Sequence, residues 1–167
     1  SLVSIVAPLY EINMRTWKSF RDADGVNHLG GFNAMSVSDL KTIKASGFNS
    51  LWLMGVWDIG GKVRAISKRY GADFSGSPFA IRDYETSDEL GTQKDFDALI
   101  ERAHLVGLKV IVDFVPNHMG MDCDWLNDHP EYFIHKLPAP NEMGLTDLEL
   151  EKRNPGFFVH RTPSYPE

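Results

Sequence analysis

Apolar and polar positions along the chain follow two rhythms, and the same succession of rhythms occurs twice. Ser36 or Ser38 can cap a helix whose apolar positions include Leu40 and Ile43, and Gly47 follows as a left-handed stop. After Phe48, the run Asn49-Ser50-Leu51-Trp52-Leu53-Met54 reads as a strand. The second copy opens at Thr92, with Asp95 three residues on as a variant of the capping box. Phe96, Leu99, Ile100 and Ala103 share one helical stripe, and Gly107 ends it. Lys109-Val110-Ile111-Val112-Asp113-Phe114-Val115 then reads as a second strand.

An earlier strand is predicted over Leu9–Asn13, with Pro8 at its first position, where a missing donor costs least. The order is strand, helix, strand, helix, strand. Both later strands are nearly continuous in apolar residues, as expected of strands covered on both faces. Such alternation implies right-handed crossovers and a parallel α/β sheet. Between Met54 and Thr92 lie almost forty residues without a strong period, and a loop that long in a compact domain is usually functional. Beyond His118 the texture turns irregular, and five of the nine prolines fall between Lys136 and Glu167. Short helices are predicted within Trp125–Phe133 and near Asp147–Lys152.

Composition narrows the classes. With 167 residues, 43% hydrophobic and a net charge of −6, the chain suits one compact domain and not a disordered one. The acidic balance, with no Lys/Arg cluster, speaks against a nucleic-acid partner. The longest apolar run, Leu51 to Trp57, falls well short of the roughly 20 residues that span a bilayer, so no membrane partner is expected. Cys123 is the only cysteine, which excludes an internal disulfide and allows a reducing compartment. With no signal segment visible, the cytoplasm is favoured; Ser1 in place of Met leaves room for a lost natural start.

Asp113 is the foremost candidate for chemistry. A carboxylate set between Lys-Val-Ile-Val and Phe-Val-Pro is costly to bury unless paired or hydrogen-bonded, so either a structural ion pair or a functional group is expected. The functional reading is the stronger, because Asn117 and His118 follow just past the carboxyl end of the strand, where parallel α/β folds place ligand sites. Pro116 stiffens that exit. The second cluster is Gly76-Ser77-Pro78-Phe79-Ala80-Ile81-Arg82-Asp83-Tyr84, which brings aromatic, cationic and anionic groups together as sugar recognition requires. Taken alone, it reads more simply as a surface pair of Arg82 with Asp83.

Other features carry less. Gly60-Gly61-Lys62 lacks the spacing of a phosphate loop. The spacing of His118, Cys123, His129 and His135 matches no usual zinc pattern. The stretch Asp22–Asn27 lacks the full ligand series of a calcium loop and reads as a solvated turn. The tryptophans read as core, with Trp57 the best exception because it follows a strand.

The run Asp113-Phe114-Val115-Pro116-Asn117-His118 resembles the first conserved motif of the α-amylase superfamily of glycoside hydrolases. Tyr10-Glu11-Ile12-Asn13 resembles its first barrel strand, and Gly47 to Met54 its second helix-to-strand junction. Gly76 to Tyr84, Gly91-Thr92, and Ala103 to Val110 are similar to its approach to the third strand. The matches run in family order from about residue 9 to 118.

The resemblance implies a partial TIM (β/α)8 barrel over residues 1–118, holding three strands and two helices. Residues 119–167 would begin an irregular domain inserted after the third strand. It implies a retaining enzyme for α-glucosidic bonds, with an α-linked glucan or oligosaccharide as partner. A transglycosylase or isomerase of the trehalose type, a non-catalytic amylase-like binding domain, and an independent small α/β binding module are the competing readings. By resemblance Phe79, Asp83, Asp113 and His118 bind substrate, Asp113 on the floor of the site and His118 on a sugar hydroxyl. Asn117 ties the inserted domain to the barrel and, in many relatives, binds calcium. Phe79 stands where the family usually has tyrosine, keeping the stacking face and losing the hydroxyl. A full barrel needs about 250 residues, so the nucleophile and the acid/base are expected beyond Glu167, no catalytic residue lies within the chain, and the piece alone is expected to be inactive.

Overall fold

The computed structural model describes residues 7–69 and 76–136, together with 146, 149, 158 and 159. The chain divides into two compact units, Ser1–Cys123 and Asp124–Glu167.

The first unit is built around three parallel strands. β1 (Leu9–Asn13) leads to a hairpin of two short strands, β2 (Phe20–Arg21) and β3 (Asn27–His28), a 3-10 turn at Phe32–Ala34, and helix α1 (Val37–Ala45). β4 (Ser50–Met54) follows, then β5 (Trp57–Asp58), helix α2 (Gly60–Arg69) and β6 (Asp83–Thr86), which pairs antiparallel with β5. Helix α3 (Gln93–Leu105) returns the chain to β7 (Lys109–Val112). The sheet order is β1-β4-β7, with Asn13 opposite Met54 and Leu53 opposite Val112. Parallel register therefore brings the carboxyl ends of all three strands to one edge.

Both helices start as their residues dictate. Ser36 with Asp39, and Thr92 with Asp95, form complete capping boxes, each side chain taking the other's backbone N–H. Gly47 and Gly107 adopt φ of +95° and +78°, the left-handed stops expected. Leu40, Ile43, Phe96, Leu99 and Ala103 turn inward onto Ile12, Leu51 and Leu53, and Met14, Phe32, Met35, Val56, Leu90 and Leu108 complete the core.

Three expectations need correction. The third strand stops at Val112, so Asp113 lies just past the ladder and not within it. β7 is not covered on both faces: Lys109 is exposed and Ile111 keeps 46% of its accessible surface, because β7 is an outer strand of the sheet. The unpatterned stretch after Met54 holds a ten-residue helix, α2, whose first amide at Gly60 is received by Asp58 Oδ1 at 3.0 Å. A side chain two residues upstream starts this helix, so it lacks the Ser/Thr-to-acid spacing that marks the other two.

In the second unit, α4 (Trp125–Asp128) and a 3-10 turn at Pro130–Tyr132 fall where a short helix was predicted. β8 (His135–Lys136) pairs in parallel with β9 (Phe158–Val159). The helix expected near Asp147–Lys152 lies outside the described residues except at Glu149, whose carboxylate receives the Thr146 amide at 2.7 Å.

Candidate functional site

Asp113 sits where β7 ends and is 6% exposed. Its carboxylate is held from two sides. Trp52, on β4, donates its indole N–H to Oδ1 at 2.7 Å, and the amide of Gly55, one residue past β4, donates to Oδ2 at 2.7 Å. Gly55 is needed there: φ is +76°, and a Cβ would meet Pro78 at 2.9 Å. The burial cost foreseen for this carboxylate is thus offset by two neutral N–H donors and not by an ion pair. Trp57 then donates its indole N–H to the Asp113 carbonyl at 2.8 Å.

The strand exit after Asp113 is braced by Tyr84 of β6. Its hydroxyl receives the Val115 amide at 2.8 Å and donates to the Val115 carbonyl at 3.2 Å. Asn117 and His118 follow on the surface, with Asn117 Nδ2 3.3 Å from His118 Nδ1. Phe79 and Asp83 are half-buried; the Phe79 amide meets Ser77 Oγ at 3.3 Å and the Tyr84 amide meets Asp83 Oδ1 at 2.7 Å. Among the described residues no hydrogen bond or ion pair joins Asp113 to Phe79, Asp83 or His118. Segment 76–84 meets the exit of β7 through Tyr84.

Arg82 does not pair with Asp83. Its Nε meets Asp58 Oδ2 at 2.7 Å, since β5 and β6 run side by side and bring residue 58 opposite residue 83. Arg64 lies 3.7 Å from Asp58 and 2.8 Å from Glu89 Oε1. Glu89 Oε2 in turn receives Arg15, a buried cation just beyond β1 that also donates to the Trp57 carbonyl at 3.0 Å. Burial alone would push the Glu89 carboxyl up, yet hydrogen bonds from Arg15 and Arg64 outweigh it and leave the pKa below the ordinary carboxylate range. Asp58 is depressed in the same way, burial being outweighed by the Gly60 amide and Arg82. This relay flanks a cavity of about 460 Å³ lined by residues that include Asp58, Arg64, Arg82, Ser87, Glu89 and Asp122. None of Phe79, Asp83, Asp113 or His118 lines that cavity.

Asp22–Asn27 is a turn, as read from the sequence. Asp22 Oδ1 receives the amides of Asp24 and Val26, and Oδ2 lies 2.7 Å from His28 Nε2. Among the described residues no three His, Cys, Asp or Glu side chains gather around a common point. Among them, too, no helix is long and apolar enough to cross a membrane. Sequence reasoning missed Trp52, Tyr84, Arg15 and Asp58. Trp57 had a signal, its place directly after a strand; Tyr84 ended a motif already singled out.

Known proteins resemble this chain in sequence and structure. The family model for the alpha-amylase catalytic domain matches residues 17–165. Maltase 1 of Drosophila virilis is 35% identical over 156 residues, covering 92% of this chain and 20% of the relative. An alpha-1,4-glucan:maltose-1-phosphate maltosyltransferase of Bifidobacterium animalis subsp. lactis is 34% identical over 137 residues, covering 76% of this chain and 18% of that protein. The crystal structure of an alpha-amylase from Lactobacillus plantarum superposes with a TM-score of 0.60 at 36% identity, over 77% of this chain and 26% of that one. The chain spans about a fifth of the length of the curated relatives it matches. On the match of the family model this chain belongs to the alpha-amylase family, within the catalytic domain.

Proposed function

We propose that this chain is the N-terminal part of the catalytic barrel of a retaining enzyme acting on α-glucosidic bonds. Its three parallel strands are the first three of eight, and the second unit begins a domain inserted after the third. The observation that carries the reading is the double hold on Asp113 by Trp52 and Gly55 at the carboxyl edge of the sheet, where (β/α)8 enzymes keep their chemistry. Both oxygens of Asp113 are engaged by fixed donors, which suits a group that shapes the floor of a site and not one that attacks.

Retaining hydrolysis needs two carboxyl groups about 5–5.5 Å apart, one nucleophilic and one passing a proton to and from the leaving oxygen. In this reading both follow later strands of the whole protein. Phe79 offers a face on which a pyranose ring stacks, Asp83 lines the approach, and His118 hydrogen-bonds a sugar hydroxyl. The chemistry so assigned runs through no metal.

The test is product stereochemistry. The full-length protein, given an α-linked glucose disaccharide, is expected to release sugar that is α-configured in the first turnovers, followed by proton NMR of the anomeric position. A β-configured product overturns the reading. The 167-residue chain alone is expected to show no turnover above background, and robust activity from it removes the fragment argument.

A second reading has support in the Bifidobacterium relative, whose name is that of a maltosyltransferase. Adding an acceptor sugar separates transfer from hydrolysis: a new α-linked product at the expense of free glucose identifies a transferase.

A further inference from the structure

The main chain leading from β7 to His118 is held by side chains. Among the described residues, no backbone–backbone hydrogen bond reaches positions 114–119. Trp57 takes the Asp113 carbonyl, and the Tyr84 hydroxyl takes both the amide and the carbonyl of Val115. One phenol thus does what a neighbouring strand would do, donating with its hydrogen and accepting with a lone pair. The ring is itself fixed, edge-on to Trp57 with centroids 5.5 Å apart and tilted against Phe114 at 5.9 Å. Only Pro116 and Asn117 separate Val115 from His118, and Pro116 has a locked φ. The Val115 peptide is therefore the last backbone group held before His118, and Pro116 fixes one of the torsions between them.

We propose that Tyr84 is a positioning residue for the substrate site: its hydroxyl fixes the Val115 backbone and so sets where the His118 imidazole stands. The inference rests on the reading of His118 as a partner for a sugar hydroxyl. Tyr84→Phe in the full-length protein removes the hydroxyl and keeps the ring. Its KM for an α-linked glucose disaccharide is expected to rise about threefold to tenfold, the range for weakening one ordinary hydrogen bond from His118 to the sugar, with kcat within about twofold. In protein labelled at histidine Cε1, the His118 signal is expected to move while those of His28 and His104 stay.

A lower unfolding midpoint with KM and the His118 signal unchanged means that Tyr84 is merely structural, and overturns the proposal. If the wild-type protein turns over no α-glucoside, the functional reading fails separately, and the His118 signal decides alone: movement supports the placement and constancy overturns it. Should the Phe variant not fold, amide exchange at Val115 in the wild type decides. Protection like that of a ladder amide supports the clamp, and exchange at the rate of a free amide overturns it.

Discussion

Trp52 and Asp113, sixty-one positions apart, meet through a 2.7 Å hydrogen bond from the indole N–H to Oδ1, and the Gly55 amide meets Oδ2 at the same distance. An acceptor is required at both oxygens. Asp113→Asn cannot supply two, because its NH2 must face one of the donors and leave that N–H unsatisfied. The variant is expected to lose about 1–3 kcal/mol of stability, seen as a lower urea midpoint at unchanged slope. An Asn variant as stable as the wild type would mean the two donors do not converge on this side chain.

The Arg15–Glu89–Arg64 chain is uneven. The Arg15 side chain is 4% exposed, whereas Glu89 and Arg64 are 32% and 31% exposed. Glu89→Gln withdraws a counter-charge 2.8 Å from a cation whose side chain is only 4% exposed, so a loss of about 3 kcal/mol is expected. Arg64→Gln removes a cation near solvent and leaves Glu89 paired with Arg15, so a loss below about 1 kcal/mol is expected. Paired urea titrations measure the difference. Equal losses from the two variants would refute the asymmetry.

Asp39 and Asp95 link stability to acid. Lys18 and Ser36 hold the Asp39 carboxyl down at about 2, and Thr92 and Asn33 hold Asp95 down at about 2. Both folded values lie below the ordinary carboxylate value of 3.8. The unfolded chain therefore binds more protons in that window, and the contribution is full above about 4 and lost as pH falls through about 2. Asp95→Asn is expected to flatten the decline of the urea midpoint between pH 4 and pH 2. The same slope in variant and wild type would show that these caps do not carry the acid sensitivity.

The parts of the fold written in the sequence are those whose causes are local. Ser36 with Asp39 and Thr92 with Asp95 announce helix starts within four residues, and Gly47 and Gly107 announce the stops. Pro116 signals the strand exit, but the course of β7 past Val112 is not legible, because distant side chains take up its backbone groups. Trp57 and Tyr84 capture the backbone of Asp113 and Val115, and nothing at residues 113–115 records it. Helix α2 was hidden for a related reason: its first amide finds Asp58, and the amide of Lys62 finds Asp122 Oδ2 at 3.0 Å, sixty residues away. Of the site, Asp113 could be found as a carboxylate among apolar neighbours. Its donors could not, since an indole on one strand and a glycine amide past its end converge only once the parallel register is set.

Phe79 tests the substrate reading most directly. It is half-buried in the segment that Tyr84 ties to the exit of β7, and it presents an aromatic face without a hydroxyl. Phe79→Tyr in the full-length protein adds a group able to hydrogen-bond a sugar stacked there, at no cost in ring area. A net hydrogen bond of about 0.5–1.5 kcal/mol corresponds to a KM lowered by roughly twofold to tenfold. Because the bond forms in the bound ground state and persists into the transition state, kcat is expected to stay within about twofold. Phe79→Ala removes the stacking face and is expected to raise KM by more than the Tyr variant lowers it. Steady-state kinetics on an α-linked disaccharide measure all three proteins. If KM is indifferent to both changes, Phe79 lies outside the substrate site, and the match of Gly76–Tyr84 to the family describes packing alone.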